Sequence, residues 1–295
     1  MNAFKNYHPI VNFIYFLFIT VFSCVFMHPA CLLISFAGGF SYSAVLRGRR
    51  AVKTSIMYSL PIIAATALIN TLFNHEGITV LAYFPNGNPL TLESVAYGVA
   101  AAVMIISVIL WFSCYNEVMT SDKFIYLFGK IIPSLSLVLS MTLKFVPRFT
   151  AQFKTVINAQ KCIGRDISSK GIIHRTKCAV SIISVMITWA LENSVETADS
   201  MKSRGYGLPG RTAFSIFKFT RRDKLLLFCT VILGIYIILA GALGQMQFEY
   251  FPSINSSEFS YFKLSVFAAY FLLSSTPLII ETLEMVKWKY IKSKI

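Results

Sequence analysis

Apolar runs about as long as a membrane is thick constrain this sequence more than any other feature. Six such runs, almost without charge, cover residues 10–27, 30–46, 54–73, 92–112, 225–244 and 262–280. A helix of ~20 apolar residues crosses a hydrocarbon layer of ~30 Å, and it satisfies its own backbone because lipid offers no hydrogen-bond partner. Since 56% of all residues are hydrophobic and only 14% are charged, the sequence predicts an all-α integral membrane protein with about six transmembrane helices.

Lysine and arginine are distributed unevenly among the segments that connect these runs. Residues 47–53 contain four basic side chains and residues 287–294 contain another four, whereas residues 74–91 and 245–261 contain none. Loops that stay in the cytoplasm are enriched in lysine and arginine. We therefore expect both basic segments, and both chain termini, on the cytoplasmic side of the membrane.

The net charge of +14 is concentrated between the fourth and fifth apolar runs. Residues 144–224 contain fifteen of the 27 lysines and arginines, against five acidic residues. A basic excess confined to connecting segments indicates membrane orientation rather than nucleic-acid binding, so the lipid bilayer is the expected partner. We expect an N-terminal membrane bundle of four spans (1–113), a cytoplasmic coupling segment (114–224) and a C-terminal hairpin of two spans (225–295).

Three amphipathic helices are predicted within this cytoplasmic segment. The first begins at an N-capping Asp122 and leads into the apolar run 131–143, which is too short to span a membrane. The second extends from Pro147 to about Ile163, because proline favours the first turn of a helix and Gly164 favours its end.

The third helix, predicted over residues 172–204, is the longest. Its apolar residues recur at helical spacing, without an internal glycine or proline. The uncharged stretch covers only residues 178–191, and a full span would bury Lys177 and Glu192 at a cost of ~3 kcal/mol each. We therefore expect this helix to lie on the membrane surface.

The C-terminal half of the third helix carries an acidic stripe and ends in an arginine. Glu192, Glu196 and Asp199 share one face, where they either contact water or pair with arginines of the neighbouring helix. Gly205 favours the left-handed conformation that closes a helix, so Arg204 projects from the C-terminal end. A cation there complements the helix dipole.

Four short stretches carry a resemblance to a known family. The helix end reads Ala-Asp-Ser-Met-Lys-Ser-Arg-Gly-Tyr over residues 198–206, and Met-Thr-Ser-Asp-Lys (119–123), Lys-Phe-Val-Pro (144–147) and His8-Pro9 lie upstream. In this combination the chain resembles the transmembrane coupling subunit, or T component (EcfT/CbiQ-like), of energy-coupling factor (ECF) transporters, which import vitamins and transition-metal ions into prokaryotes. The resemblance implies a multi-pass protein of a prokaryotic plasma membrane.

The resemblance also implies partners and the residues that meet them. In ECF transporters the T component joins two ATP-binding cassette ATPase subunits to a small membrane S component, which binds the substrate. Two cytoplasmic helix ends of the T component dock on the ATPases. By resemblance, Ser203, Arg204 and Gly205 form one docking tip, whose guanidinium is suited to pairing with a carboxylate.

The second docking tip departs from the family pattern. Cys162, Ile163 and Gly164 stand where the family has alanine, arginine and glycine, and Arg165 follows beyond the glycine. Two interpretations are open: Arg165 serves from a different geometry, or this tip docks through apolar contact alone.

No catalytic motif accompanies these features. The sequence contains no HExxH, GxSxG or P-loop pattern, and its six cysteines stand apart without a CxxC pair. We expect no catalytic residue, cofactor or metal site, and predict a non-enzymatic coupling subunit of an ATP-driven micronutrient importer. The alternatives are the permease subunit of a conventional ABC transporter, a secondary transporter, and a structural membrane anchor; a secondary transporter usually has ionisable residues inside its spans, and these spans contain few.

Overall fold

A computed structural model describes residues 3–83, 89–129, 132–164, 171–209, 217–253, 255–256 and 260–292, which are predominantly helical. The helices in these ranges are α1 (Pro9–Val25), α2 (Pro29–Arg47), α3 (Arg49–Phe73), α4 (Leu92–Val118), α5 (Ser121–Gly129), α6 (Pro133–Cys162), α7 (Ile172–Ser203), α8 (Arg221–Ala242) and α9 (Tyr261–Lys292). Two short antiparallel hairpins join β1 (Val80–Tyr83) to β2 (Pro89–Thr91) and β3 (Phe248–Glu249) to β4 (Asn255–Ser256). A 3-10 turn, Phe4–Asn6, precedes α1.

The chain forms two compact units. The first comprises Met1–Lys123 with Phe217–Ile295, and the second comprises Phe124–Ile216. Within the first unit α8 packs against α1, and α9 packs against α2. The C-terminal hairpin therefore joins the N-terminal helices in one bundle, while the segment boundaries at residues 113 and 224 stay predictions.

The predicted all-α membrane architecture is confirmed. The six apolar runs coincide with α1, α2, α3, α4, α8 and α9. In the described part of the chain α2, α4, α7, α8 and α9 are long and apolar enough to cross a membrane, and α1 and Met57–Phe73 are shorter apolar helices. Because α7 meets this criterion by length and composition only, its predicted position at the membrane surface stays a prediction.

A histidine–proline pair begins each of the first two helices. Nδ1 of His8 accepts a hydrogen bond from the N–H of Ile10 at 3.3 Å, and Nδ1 of His28 accepts one from the N–H of Ala30 at 3.2 Å. The proline after each histidine opens the helix, where its missing N–H costs no helical hydrogen bond. The second cap lies in the short connection between α1 and α2, so α2 begins only four residues after α1 ends.

The predicted helix start at Pro147 is wrong. α6 is continuous from Pro133 to Cys162, and Pro147 lies in its interior. Phe145 and Phe149, on either side of the proline, both pack against Trp189 of α7, with ring centroids 5.6 and 6.3 Å apart. This packing favours a continuous helix although the proline removes one backbone hydrogen bond.

Two smaller features also differ from the sequence prediction. Asp122 lies in the first turn of α5 rather than at its N-cap, where a carboxylate still interacts favourably with the helix dipole. The two hairpins lie in segments for which the sequence predicts only connecting loops. Strands of two to four residues are too short for an alternating pattern to predict them.

Trp111 lies at the centre of the first unit's core. Its side chain is fully buried, and its ring centroid lies 6.2 Å from that of Tyr15 and 6.4 Å from those of Phe16 and Tyr42. Its indole N–H donates to the Ser35 carbonyl at 3.2 Å and to the Ser35 hydroxyl at 3.1 Å. This one side chain therefore joins α1, α2 and α4.

Buried polar contacts hold the N-terminal segment on the first unit. The N–H of Phe4 donates to Oε1 of Glu281 at 3.3 Å, and Glu281 is itself buried. The ammonium group of Lys123 donates to the carbonyl of Lys5, and Lys123 is only 4% exposed. The first turn of α5 is thus fixed to the N-terminal segment through a buried cation.

We expect Lys123 to give the stability of the protein a distinct pH dependence. Burial, with a smaller contribution from the charge of Lys5, lowers the pKa of Lys123 from 10.5 to about 8. Above pH 8 the unfolded chain retains this proton more readily than the folded chain, so the free energy of unfolding rises with pH until the unfolded lysine titrates as well.

Thermal unfolding in detergent between pH 7.5 and pH 10 (roughly the interval between the two pKa values) measures this effect. The unfolding temperature of the wild type should rise relative to that of Lys123→Met, which cannot titrate. Lys224→Met removes an exposed lysine and should keep the wild-type profile. Parallel profiles for the wild type and Lys123→Met would contradict the prediction.

Candidate partner-docking tips

Packing of α6 against α7 organises the second unit. Val156 of α6 is buried together with Ile182 and Met186 of α7, and Ile157 and Trp189 border this cluster. The α7 residues follow one another at spacings of four and three, so they form one apolar stripe. The predicted amphipathic face of the long helix therefore contacts α6.

Arg148 adds a polar contact to the same helix pair. Its guanidinium donates to Oδ1 of Asn193 at 3.4 Å and lies 5.9 Å from the centre of the Trp189 ring, within reach of a cation–π interaction. The acidic residues Glu192 and Glu196 are exposed, as is Asp199, and none forms an ion pair with another described residue. Of the two interpretations of the acidic stripe, the described structure fits a solvated face.

α7 ends in a Schellman motif. The N–H of Gly205 donates to the carbonyl of Lys202 at 2.9 Å, and the N–H of Tyr206 donates to the carbonyl of Met201 at 3.0 Å. Gly205 has a φ of 77°, in the left-handed region that glycine adopts without strain. Arg204 is the C-cap and its side chain is exposed, as the sequence predicts.

α6 ends with a similar local geometry. The N–H of Gly164 donates to the carbonyl of Lys161 at 3.0 Å, and Gly164 has a φ of 83°. Ile163, immediately before this glycine, exposes 72% of its surface, and Cys162 is exposed as well. Arg165 lies outside the described residues, so its predicted contribution stays a prediction.

The two tips lie at different ends of the helix pair. Val156 of α6 packs with Ile182 of α7, whereas Phe145 packs with Trp189. Residue numbers decrease along α6 in the direction in which they increase along α7, so the two helices are antiparallel. At 1.5 Å per residue, Arg204 stands roughly 20 Å beyond Trp189, on the side of the contact opposite to Ile163.

The sequence predicted both helix ends but not the contact between α6 and α7. Trp189, Arg148 and Asn193, which hold α6 and α7 together, were not singled out as candidates. The available signal was the spacing of Phe145 and Phe149, which share a face only if the helix continues through Pro147. Among the described residues no group of three or more histidine, cysteine, aspartate or glutamate side chains is placed to hold a metal ion.

The fold and the exposed helix ends define the class: a multi-pass, all-α membrane protein with a separate unit of packed helices. The family model described as cobalt transport protein, CbiQ, matches residues 2–216. The chain belongs to this family, which confirms the resemblance to a T component seen in the sequence.

Curated relatives support this assignment. The energy-coupling factor transporter transmembrane protein EcfT of Lactobacillus helveticus is 30% identical over 38% of this chain and 39% of its own length. The proteins of the same name from Lactococcus lactis subsp. cremoris and Brevibacillus brevis are 31% and 32% identical, over 37% of this chain in both cases and 41% and 43% of their own lengths. The chain thus aligns with about two fifths of the length of these relatives.

Proposed function

We propose that this chain is the transmembrane coupling subunit of an ATP-driven ECF-type importer of a micronutrient, a vitamin or a metal ion. The observation that carries the proposal is the pair of exposed, glycine-closed helix ends, at residues 162–164 and 203–205, on different ends of one antiparallel pair. Two ends that face apart suit simultaneous contact with two ATPase subunits. The names of the relatives, all ECF transporter transmembrane proteins, support the same assembly.

The two tips offer different chemistry to those subunits. Arg204 presents a permanently charged, planar guanidinium that pairs bidentately with a carboxylate, and Ser203 and Gly205 beside it are too small to cover it. Ile163 presents an apolar side chain between Cys162 and Gly164. We therefore infer one electrostatic and one apolar ATPase contact.

Mechanical coupling follows from the stiffness of the helix pair. Closure of the ATPase subunits on ATP displaces the docked tips, and α6 and α7 move together because their shared apolar stripe is buried. The membrane helices receive this motion and pass it to a small S component that holds the substrate. ATP hydrolysis takes place in the partners, on the cytoplasmic side where both termini of this chain also lie.

A conventional ABC permease and a secondary transporter are the competing functions. Buried histidine, lysine and acidic residues of the described first unit lie near helix ends or beyond the predicted spans: His8, Glu93, Lys123, Asp223, Lys263 and Glu281. A transporter that binds a polar substrate in its own helices usually places such groups at mid-membrane. Their position therefore favours a scaffold that relies on another subunit for substrate binding.

Affinity purification of the tagged full chain from its native membrane, with identification of the proteins retained, tests the proposal. Recovery of two ATPases and a small membrane protein is the expected result. Recovery of a solute-binding lipoprotein would favour a conventional permease instead. Uptake by vesicles that contain this chain alone would favour a secondary transporter.

Ile163→Arg is expected to weaken ATPase binding at the α6 tip by roughly tenfold or more, because a guanidinium would enter a contact shaped for an apolar side chain. Ile163→Val preserves the apolar character and serves as the matched control. Binding of the purified ATPases to the immobilised full chain measures the affinity. Unchanged affinity for Ile163→Arg together with a loss for Arg165→Ala would assign the contact to Arg165.

A further inference from the structure

A cavity in which half of the lining residues are charged lies in the first unit, where α8 begins and beside the C-terminal part of α9. Its volume is about 550 Å³. The N-terminal segment forms one wall, through residues that include Tyr7. The charged lining consists of Lys218, Arg221, Arg222, Asp223, Glu284 and Lys287.

Asp223 is already engaged by the fold. Its Oδ1 accepts a hydrogen bond from the backbone N–H of His8 at 2.9 Å. Its Oδ2 accepts hydrogen bonds from the backbone N–H and the hydroxyl of Thr220, at 2.8 and 2.6 Å. This capping box begins α8 and occupies both oxygens of Asp223, so the carboxylate forms no ion pair with the described cations around it, although its negative charge remains. Glu284 is the remaining carboxylate in the lining.

The four cations of the cavity have unused binding capacity. Lys218, Arg221, Arg222 and Lys287 are exposed, and none of them forms an ion pair within the described ranges. Arg221 and Arg222 also occupy the first turn of α8, where the helix dipole adds positive potential. The cavity therefore favours an anion that carries several acceptor oxygens.

The wall around these cations is held in place by packing. The ring of His8 meets that of Phe219 edge to face, with centroids 4.7 Å apart, so the segment before α8 is fastened to the N-terminal segment. Little rearrangement is then needed when an anion enters, which lowers the entropic cost of binding.

The cavity also adjoins apolar surface, where the predicted span of α8 begins and that of α9 ends. Ile280 and Leu283 of α9 contribute apolar lining, and the apolar run of α9 ends at residue 280. On α8, Leu225 and Phe228 follow the basic first turn and are each 68% exposed, as expected of side chains that face acyl chains. The charged cavity is therefore placed to meet a lipid headgroup, and the adjoining apolar surface is placed to meet the acyl chains.

We propose that this cavity binds the phosphodiester headgroup of an anionic phospholipid, with the acyl chains along α8 and α9. Basic pockets between helices at a membrane surface bind such headgroups. A soluble phosphate compound would contact the cations but not the adjoining apolar surface. An acidic protein segment would have to compete with lipid for that apolar surface. The inference does not depend on the proposed coupling function.

Native mass spectrometry of the full chain in mild detergent tests this site, with phosphatidylglycerol and phosphatidylcholine as probes and glycerol 3-phosphate as the soluble arm. Arg222→Gln with Lys287→Gln removes two cations of the cavity. Lys224→Gln with Lys289→Gln removes two from the same helix ends without touching its lining. Lys218→Gln with Arg221→Gln provides an independent second pair.

The wild type and the control pair should retain one phosphatidylglycerol in preference to phosphatidylcholine. Both cavity pairs should lose this affinity by roughly 30-fold, at ~1 kcal/mol per removed cation. Equal losses of phosphatidylglycerol affinity in the cavity pairs and the control pair would mean that the lipid is held by diffuse surface attraction, which would contradict the proposed site. Tight retention of glycerol 3-phosphate without a preference for phosphatidylglycerol would replace the lipid with a soluble phosphate ligand.

Discussion

Arg204→Glu should abolish uptake and reduce ATPase association by roughly 30-fold or more. In the proposed docking contact, the substitution replaces a cation that pairs with a partner carboxylate by an anion that repels it, and breaking such a contact costs about 2–5 kcal/mol. Arg204 is the C-cap of α7 and is exposed, so the change leaves the packing of the second unit intact. Co-purification of the ATPases with the full chain, followed by uptake in reconstituted vesicles, measures both effects.

Two further variants distinguish a specific contact of Arg204 from a general effect of charge on ATPase association. Lys154→Glu makes the same reversal at an exposed position in the interior of α6, away from both tips. It should leave ATPase association within about twofold of the wild type, as an exposed charge outside the contact contributes little. Arg204→Lys retains the charge but not the planar fork, so it should give an intermediate loss. Normal assembly and uptake with Arg204→Glu would remove this residue from the docking contact.

Trp111→Ala should lower the free energy of unfolding by about 3–5 kcal/mol. The indole is fully buried against the rings of Tyr15, Phe16 and Tyr42, so truncation leaves a cavity at the junction of α1, α2 and α4. It also removes the donor to the carbonyl and the hydroxyl of Ser35, a buried hydrogen-bonding contact whose loss costs further stability. Unfolding in mixed micelles with increasing denaturing detergent measures the change.

Phe112→Ala is the matched control for this core substitution. Phe112 is the next residue of the same helix, but it is 52% exposed and lies on the outer surface of the bundle. Its truncation should cost less than about 1 kcal/mol, since few protein contacts are lost. Similar losses for the two variants would mean that Trp111 is not the packing centre of the unit.

Some features of this protein could be predicted from the sequence because local rules determine them. The hydrocarbon layer demands helices of a minimum length, so the runs that became α1–α4, α8 and α9 were recognisable without knowledge of their neighbours. The end of α7 was predictable for a similar reason. Gly205 adopts a positive φ that few other residues tolerate, which places Arg204 at the helix terminus.

Other features depend on contacts between residues far apart in the chain. Pro147 was expected to begin a helix, yet Phe145 and Phe149 pack on Trp189 and carry α6 through it. Lys123 reads as a solvated cation in the sequence, but the N-terminal segment folds over it and supplies a carbonyl. Neither outcome is encoded in a local pattern.

By itself, then, the sequence determined the membrane class, the positions of the spanning helices, the glycine-closed helix ends and the family resemblance. Only the tertiary structure decided that the tips of α6 and α7 lie at different ends of an antiparallel pair, and that four cations from separate segments surround one cavity. The physical reason is the range of the interactions. Helix length and helix ends follow from neighbouring residues and the solvent, whereas packing partners are chosen by the whole chain.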